Sequence, residues 1–229
     1  MTNPSLSPWP SPGPVRSSTG LSVAAVVCLA LSVASDVAVT WTHWNAYRVL
    51  SDFWQGHAKW ADVDAVDQFS RTLRLTSAGV TVVAAVVFFC WLWRARLNAE
   101  SLSLSEHRLS RGWVIGAWFC PLLNLWYPHR VVSDIWKTSR PKQAETLDLS
   151  RVRGSALVTA WWVLYLAAVL IDLYATAFKF LIPLGLDDLY SGSRDNTIAT
   201  VLRAVAGVLL VLVIARVTTW QNRRVAVPA

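Results

Sequence analysis

The sequence predicts an all-α integral membrane protein: a helical bundle with four transmembrane helices plus a Trp/Pro-rich re-entrant or interfacial segment. Three observations predict it. Of 229 residues, 54% are hydrophobic and only 15% charged, where a soluble domain carries about 25% charge. Four apolar stretches approach the roughly 20 residues that cross the hydrocarbon core as a helix. The chain holds 14 tryptophans, many of them at the ends of those stretches, where the ring favours the membrane–water boundary.

Residues 1–20 are rich in Pro and Ser (NPSLSPWPSPGPVRSS) and lack the apolar content for a core, so they are expected to form a disordered cytoplasmic tail. Residues 21–220 form the membrane domain, and 221–229 a second cytoplasmic tail. The spans fall at about 21–41, 77–93, 155–178 and 197–217. Lipid offers no partner to an unpaired amide, so each must be helical. Trp41, Trp44, Trp91, Trp93 and Trp220 stand at span ends as anchors. Within the first stretch, Ser32-Val33-Ala34 has the small-x-small form of a signal-peptide cleavage site. The apolar run continues past it to Val39, and the preceding tail carries a single basic residue, Arg16, which favours a retained span.

Between the first two spans, Val63, Val66, Phe69 and Leu73 recur at helical steps, predicting an amphipathic helix that feeds the second span. Residues 94–111 are polar and basic. Residues 112–128, GWVIGAWFCPLLNLWYP, are as apolar as a span but short, with Pro121 and Asn124 in the second half and Pro128 at the end. Such a run reads as interfacial or re-entrant. Residues 129–137 predict a short interfacial helix with Val131, Val132, Ile135 and Trp136 apolar, residues 140–153 a charged linker, and residues 181–196 a loop broken by Pro183, Gly185 and Gly192.

If 112–128 does not cross, both termini share a side with 14 Lys and Arg against 6 on the other; if it crosses, the division is 13 against 7. The positive-inside rule places both termini in the cytoplasm of a multi-pass cell-membrane protein, and the breakers and length favour the non-crossing arrangement. That arrangement also brings Asp36, Asp172 and Arg203, three costly charges inside apolar helices, to a similar depth where they can pair. Ser32, Asp36 and Thr40 form one stripe, Ala168, Asp172 and Thr176 another, and Ala199, Arg203 and Gly207 a third. With the ridge Ala30, Ala34 and Ala38, these small-residue stripes are expected to face the bundle interior. The three charges are expected to act as a structural clasp, with an ion or proton pathway as the rival.

The chain's net charge of +7 is explained by cytoplasmic basic loops, and no nucleic-acid motif accompanies it. Cys28, Cys90 and Cys120 form no CxxC pair, so no disulfide frame, metal site or cofactor is expected. No GxSxG, HExxH, Walker loop or GxGxxG occurs, and no catalytic residue is assigned. Glu106, His107 and His129 are the weak candidates for a lipid-directed enzyme. Arg94 and Arg96 follow a span and can grip lipid phosphates or helix carbonyls. Asn98 and Asn124 can satisfy backbone freed by Pro121. Trp113, Trp118, Trp126 and Trp136 can pack as an interfacial plate with an Arg94 or Arg96 guanidinium on a ring.

WLWRARLNAE at 91–100 is followed by RGWVIGAWFCPLLNLWYPHRVVSDIWKTS at 111–139. The ordered set Trp93, Arg94, Arg96, Asn98, Gly112, Trp113, Trp118, Phe119, Pro121, Asn124, Pro128 and Trp136 resembles the pattern of an actinobacterial membrane family, domain of unknown function 4328. The resemblance implies a bacterial multi-span protein of unassigned activity. The expected function is therefore a non-enzymatic scaffold or sensor that binds lipids or a partner. A small transporter or channel using Asp36, Asp172 and Arg203 is the alternative. The partners expected are membrane lipids, then a protein partner or a second copy, and no nucleic acid.

Overall fold

The computed structural model describes residues 16–102, 107–141, 149, 152–181 and 185–225, apart from the side chains of 178–181 and 225. The elements are α1 (Thr19–Trp54), α2 (Trp60–Leu102), α3 (Trp113–Gly116), a 3-10 turn (Leu123–Leu125), α4 (Tyr127–Ser139), α5 (Ala156–Leu181) and α6 (Leu186–Val225), with no strand among the described residues. Four helices among them, α1, α2, α5 and α6, are long and apolar enough to cross a membrane, with mean hydropathy between 2.0 and 2.6 in their most apolar windows. The all-α bundle expected from the sequence is the fold observed.

The long helices extend beyond their apolar stretches. α2 has 43 residues, about 65 Å of rise against a hydrocarbon core of about 30 Å. The amphipathic helix expected around residues 63–73 is thus not separate; it forms the first turns of α2, because no proline interrupts 60–102. Gly56 ends α1 with φ +78°, a left-handed position that costs glycine nothing. Asp62 then caps α2 by accepting from the Lys59 amide at 2.8 Å. The loop expected at 181–196 is shorter than its breakers suggested, since α6 begins at Leu186 and runs through Gly192. Asp187 and Asp188 in its first turn complement the helix dipole, and Asp188 accepts from the Gly185 amide at 2.9 Å. Those gains offset the cost of about 1 kcal/mol for an interior glycine.

Packing orders the helices in a row. α1 packs on α2, α6 on α1, and α5 on α6, whereas α2 and α5 make no comparable interface. At one end α4 crosses between them and touches α2, α5 and α6. The best-filled part of the core lies at that end: Trp91, Leu92 and Ala95 of α2, Val131, Val132 and Ile135 of α4, and Val213, Ile214 and Val217 of α6 are buried together. Elsewhere Val23, Val27, Val82, Val86, Leu173 and Val208 are more than half exposed, an apolar surface suited to lipid.

Residues 112–126 contain only α3, turns and the 3-10 segment, and Tyr127 and Pro128 open α4. One helical turn is far too short to cross, so the segment is an insert against the bundle end. Two sequence expectations need correction. Ala30 and Ala34 lie on the exposed side of α1, not in the interior; the packed face is the one that carries Ser32, Ser35, Asp36 and Thr40, and small size alone marks neither face. Arg16, Ser17 and Ser18, placed in the disordered tail, are ordered up to α1, while residues 1–15 lie outside the described part of the chain.

Candidate functional site

Three helices each deliver one charge to the same place. Arg203 of α6 donates from Nη1 to Oδ2 of Asp172 on α5, and its Nε lies 3.2 Å from Oδ2 of Asp36 on α1. The Arg203 Nε contact is Coulombic, since its geometry is not that of a hydrogen bond. Polar neighbours extend the junction: Thr40 donates to the side-chain Oδ1 of Asn196 at 2.8 Å and meets the Thr200 hydroxyl at 2.8 Å. Gly207, one turn along α6 from Arg203, lets α1 approach so closely that a Cβ there would sit 3.2 Å from Val33. Serine pairs join α1 to α2, Ser35 to Ser77 at 3.0 Å and Ser32 to Thr81 at 3.1 Å.

Beside this junction is a cavity of about 680 Å³ between α1, α2, α5 and α6, within the range of about 300–1,000 Å³ typical of ligand sites. Asp36 and Arg203 line one part; Trp118 lines another; the remaining wall is mostly apolar, with Leu29, Val82, Ala85, Phe89, Val169 and Leu210. Val82 of α2 and Val169 of α5 are 62% and 37% exposed, so the cavity opens sideways in the gap between those two helices. Trp118 spans the gap, meeting Phe88 of α2 at 5.7 Å and Trp162 of α5 at 5.8 Å between ring centroids. Trp162 in turn donates its indole N–H to the Leu125 carbonyl at 2.9 Å, which ties the insert to α5. The Trp118 indole N–H has no partner.

A second cavity of about 320 Å³ lies toward the α1–α2 turn, lined by Thr42, Asp64, Asp67, Ser70 and Arg74 among others. Arg74 lines both cavities.

The conspicuous residues of the insert and of α2's end serve mainly as internal ties. Arg96, 3% exposed, donates from Nε to Glu100 and from Nη2 to the Leu109 carbonyl, both at 2.7 Å. The Asn98 amide clasps the backbone of Arg16, accepting from its N–H at 3.1 Å and donating to its carbonyl at 2.8 Å. It also donates to Gln221 at 3.2 Å. Gln221, fully buried, donates to the Ala95 carbonyl and to Ser139, both at 2.9 Å. Arg94 is partly exposed. Trp113 packs edge-on to Tyr127 at 5.0 Å, and Trp136 to Trp220 at 4.7 Å. Trp126 is 43% exposed. Among the described residues the cations over rings are Arg130 on Tyr127 and Arg140 on Trp136, rather than the expected Arg94 or Arg96. Pro128 lies in the first turn of α4, where its missing N–H costs nothing. Pro121 sits in the turn between α3 and the 3-10 segment. The side-chain Oδ1 of Asn124 is buried without a partner among the described residues.

The histidines do not assemble a catalytic group among the described residues. His129 faces Thr159 at 3.2 Å, and both ring nitrogens of His107 are buried without a hydrogen bond among the described residues. Burial, with nearby Arg96, lowers the His107 pKa to about 4; burial, with Arg108, lowers that of His129. Glu106, the third member of that set, lies outside the described residues. No cluster of three metal-ligating side chains occurs among them.

Sequence reasoning missed Gln221, placed in a tail, and the pair of Arg108 with the fully buried Asp134, which meet at 2.6 Å. It also missed Ser70 and Arg74. Asp134 carried a signal: an acid amid Val131, Val132 and Ile135 requires a partner.

A family model described as Domain of unknown function (DUF4328) matches residues 55–219. Among curated proteins and solved structures no similar chain is found.

Proposed function

We propose that this chain, which belongs to the family described as Domain of unknown function (DUF4328), is a non-enzymatic membrane protein that binds a lipid in the cavity between α1, α2, α5 and α6. The observation that carries the reading is the cavity itself: mostly apolar, opening sideways where α2 and α5 stand apart. A site fed from the bilayer suits a ligand dissolved in the bilayer. From Arg74 to Phe89 the α2 wall rises about 22 Å, which suits a long hydrocarbon chain. The transport reading is weaker on the same ground, because the walls between Arg203 and Trp118 are chiefly Ala, Val, Leu and Phe.

In this account Asp36, Arg203 and Asp172 are a clasp that fixes α1, α5 and α6 at one end of the cavity. Trp113, Trp118, Pro121, Asn124, Trp126 and Pro128 of the insert, with Trp136 of α4, close the other. Arg94 and Arg96 belong to that closure, with Arg94 free to meet headgroups. The basic residues on the insert side support cytoplasmic termini in a bacterial cell membrane, and the Arg-rich, Lys-poor composition fits an actinobacterial source.

Native mass spectrometry of the protein released from vesicles tests the reading. Wild type retains lipid. Ala85→Trp, which fills the cavity, loses it without loss of helicity. Equal retention in that variant, or none in wild type, overturns the proposal.

A further inference from the structure

Arg74 lies on the walls of both cavities. Its position, three residues before the apolar part of α2 begins at Ser77, is where a phosphate would lie at the membrane boundary. The residues at steps of three and four on the same helical face are Asp67 and Ser70. Ser70 is 2% exposed, lines the smaller cavity, and its hydroxyl has no hydrogen-bond partner. A buried hydroxyl left unpaired is costly and points to an absent partner. Neither Asp67 nor Arg74 forms a hydrogen bond or ion pair among the described residues. They are two helical turns apart, about 10 Å, too far to neutralise each other directly. Asp64 adds a second carboxylate to the same cavity, held by Gln68 at 2.9 Å.

This is a positive site at the mouth of an apolar cavity, an unpaired hydroxyl beside it, and carboxylates beyond. We propose that the smaller cavity receives the headgroup of a phosphatidylethanolamine whose acyl chain occupies the larger one. This rests on the lipid-binding reading above. The phosphate accepts from the Arg74 guanidinium and the Ser70 hydroxyl. The primary ammonium donates to Asp67, with Asp64 adding to the field. A phosphatidylglycerol head has the phosphate but no cation for Asp67. A phosphatidylcholine head has the cation but no N–H to donate.

The test is competition among lipids with matched acyl chains. The full-length protein is equilibrated in vesicles of equimolar phosphatidylethanolamine, phosphatidylglycerol and phosphatidylcholine, and co-purified lipid is counted by mass spectrometry. Phosphatidylethanolamine is expected to be enriched about tenfold over each of the others, the worth of one charge-assisted hydrogen bond. Asp67→Asn abolishes that preference while total lipid is unchanged. Arg74→Gln and Ser70→Ala lower retention of all three lipids, since each carries the phosphate. Retention of all three lipids in bulk proportion, or enrichment of phosphatidylglycerol, overturns the headgroup assignment and leaves the cavity reading standing. Absence of any retained lipid overturns both. The wild-type competition requires no variant to fold.

Discussion

Replacing Arg203 by Met isolates the clasp. The side chain of Arg203 is 24% exposed, with those of Asp36 and Asp172 22% and 35% exposed. Breaking a fully buried pair by removing one partner costs about 3–5 kcal/mol. Partial exposure discounts that, so Arg203→Met is expected to destabilise by about 2–3 kcal/mol. The pairwise shares are smaller, because polar contacts inside membranes average about 0.6 kcal/mol and reach about 1.7. Arg203 hydrogen-bonds Asp172 but meets Asp36 only Coulombically. The Asp172→Asn/Arg203→Met cycle should therefore couple by about 1.5 kcal/mol and the Asp36→Asn/Arg203→Met cycle by about half that. Reversible unfolding in mixed detergent micelles, followed by circular dichroism, gives both values. Additivity within about 0.3–0.5 kcal/mol in both cycles would refute the clasp.

Other outcomes follow from the same geometry. Trp118→Ala removes the rings' bridge between α2 and α5 and should cost about 2–3 kcal/mol, with Trp118→Phe recovering about half; thermal melting in detergent reads it. Asn98→Ala should free the segment before α1, raising amide exchange at residues 16–22 with a loss of about 2 kcal/mol. His107 is neutral in the fold, with its pKa depressed from 6.5 to about 4, so protons favour the unfolded chain. Its contribution is complete above about pH 6.5 and is lost as pH falls to about 4, amounting to about 3 kcal/mol; His129, shifted the same way, adds to the slope. Denaturation of His107→Gln across that window should show a shallower acid loss than wild type. In a Cys-free chain, Ser110→Cys and Arg153→Cys should label from one side of the membrane and Gln55→Cys from the other, as a non-crossing insert requires; opposite-side labelling of 110 and 153 contradicts it.

The bundle was legible because its cause is compositional: a run of about 20 apolar residues has few alternatives to a spanning helix. The pairing of Asp36, Asp172 and Arg203 was legible for a similar reason, since charges that share a depth in lipid have little else to meet. Helix ends were less legible. Continuation of α2 back to Trp60 and of α6 through Gly192 depends on caps and packing that outweigh weak local breakers. The insert showed its composition but not its use: Trp118 reads as an interfacial anchor until Phe88 and Trp162 are seen on either side of it. Gln221 was opaque, and Asn98 was marked as a residue that satisfies backbone but not for which segment, because each is one polar residue near a helix end and only their meeting with Ser139 and Arg16 shows the partner. The cavity was invisible, since it arises from α2 and α5 failing to pack.

That cavity is the centre of the account, and photo-crosslinking addresses it most directly. Phosphatidylethanolamine carrying a diazirine in its acyl chain is activated in vesicles with the wild-type protein, and adducts are mapped by mass spectrometry. Adducts are expected on Ala85, Phe89, Ala206 and Leu210, which line the cavity. Adducts confined to Val83, Val86 and Val208, on outward faces, would contradict it.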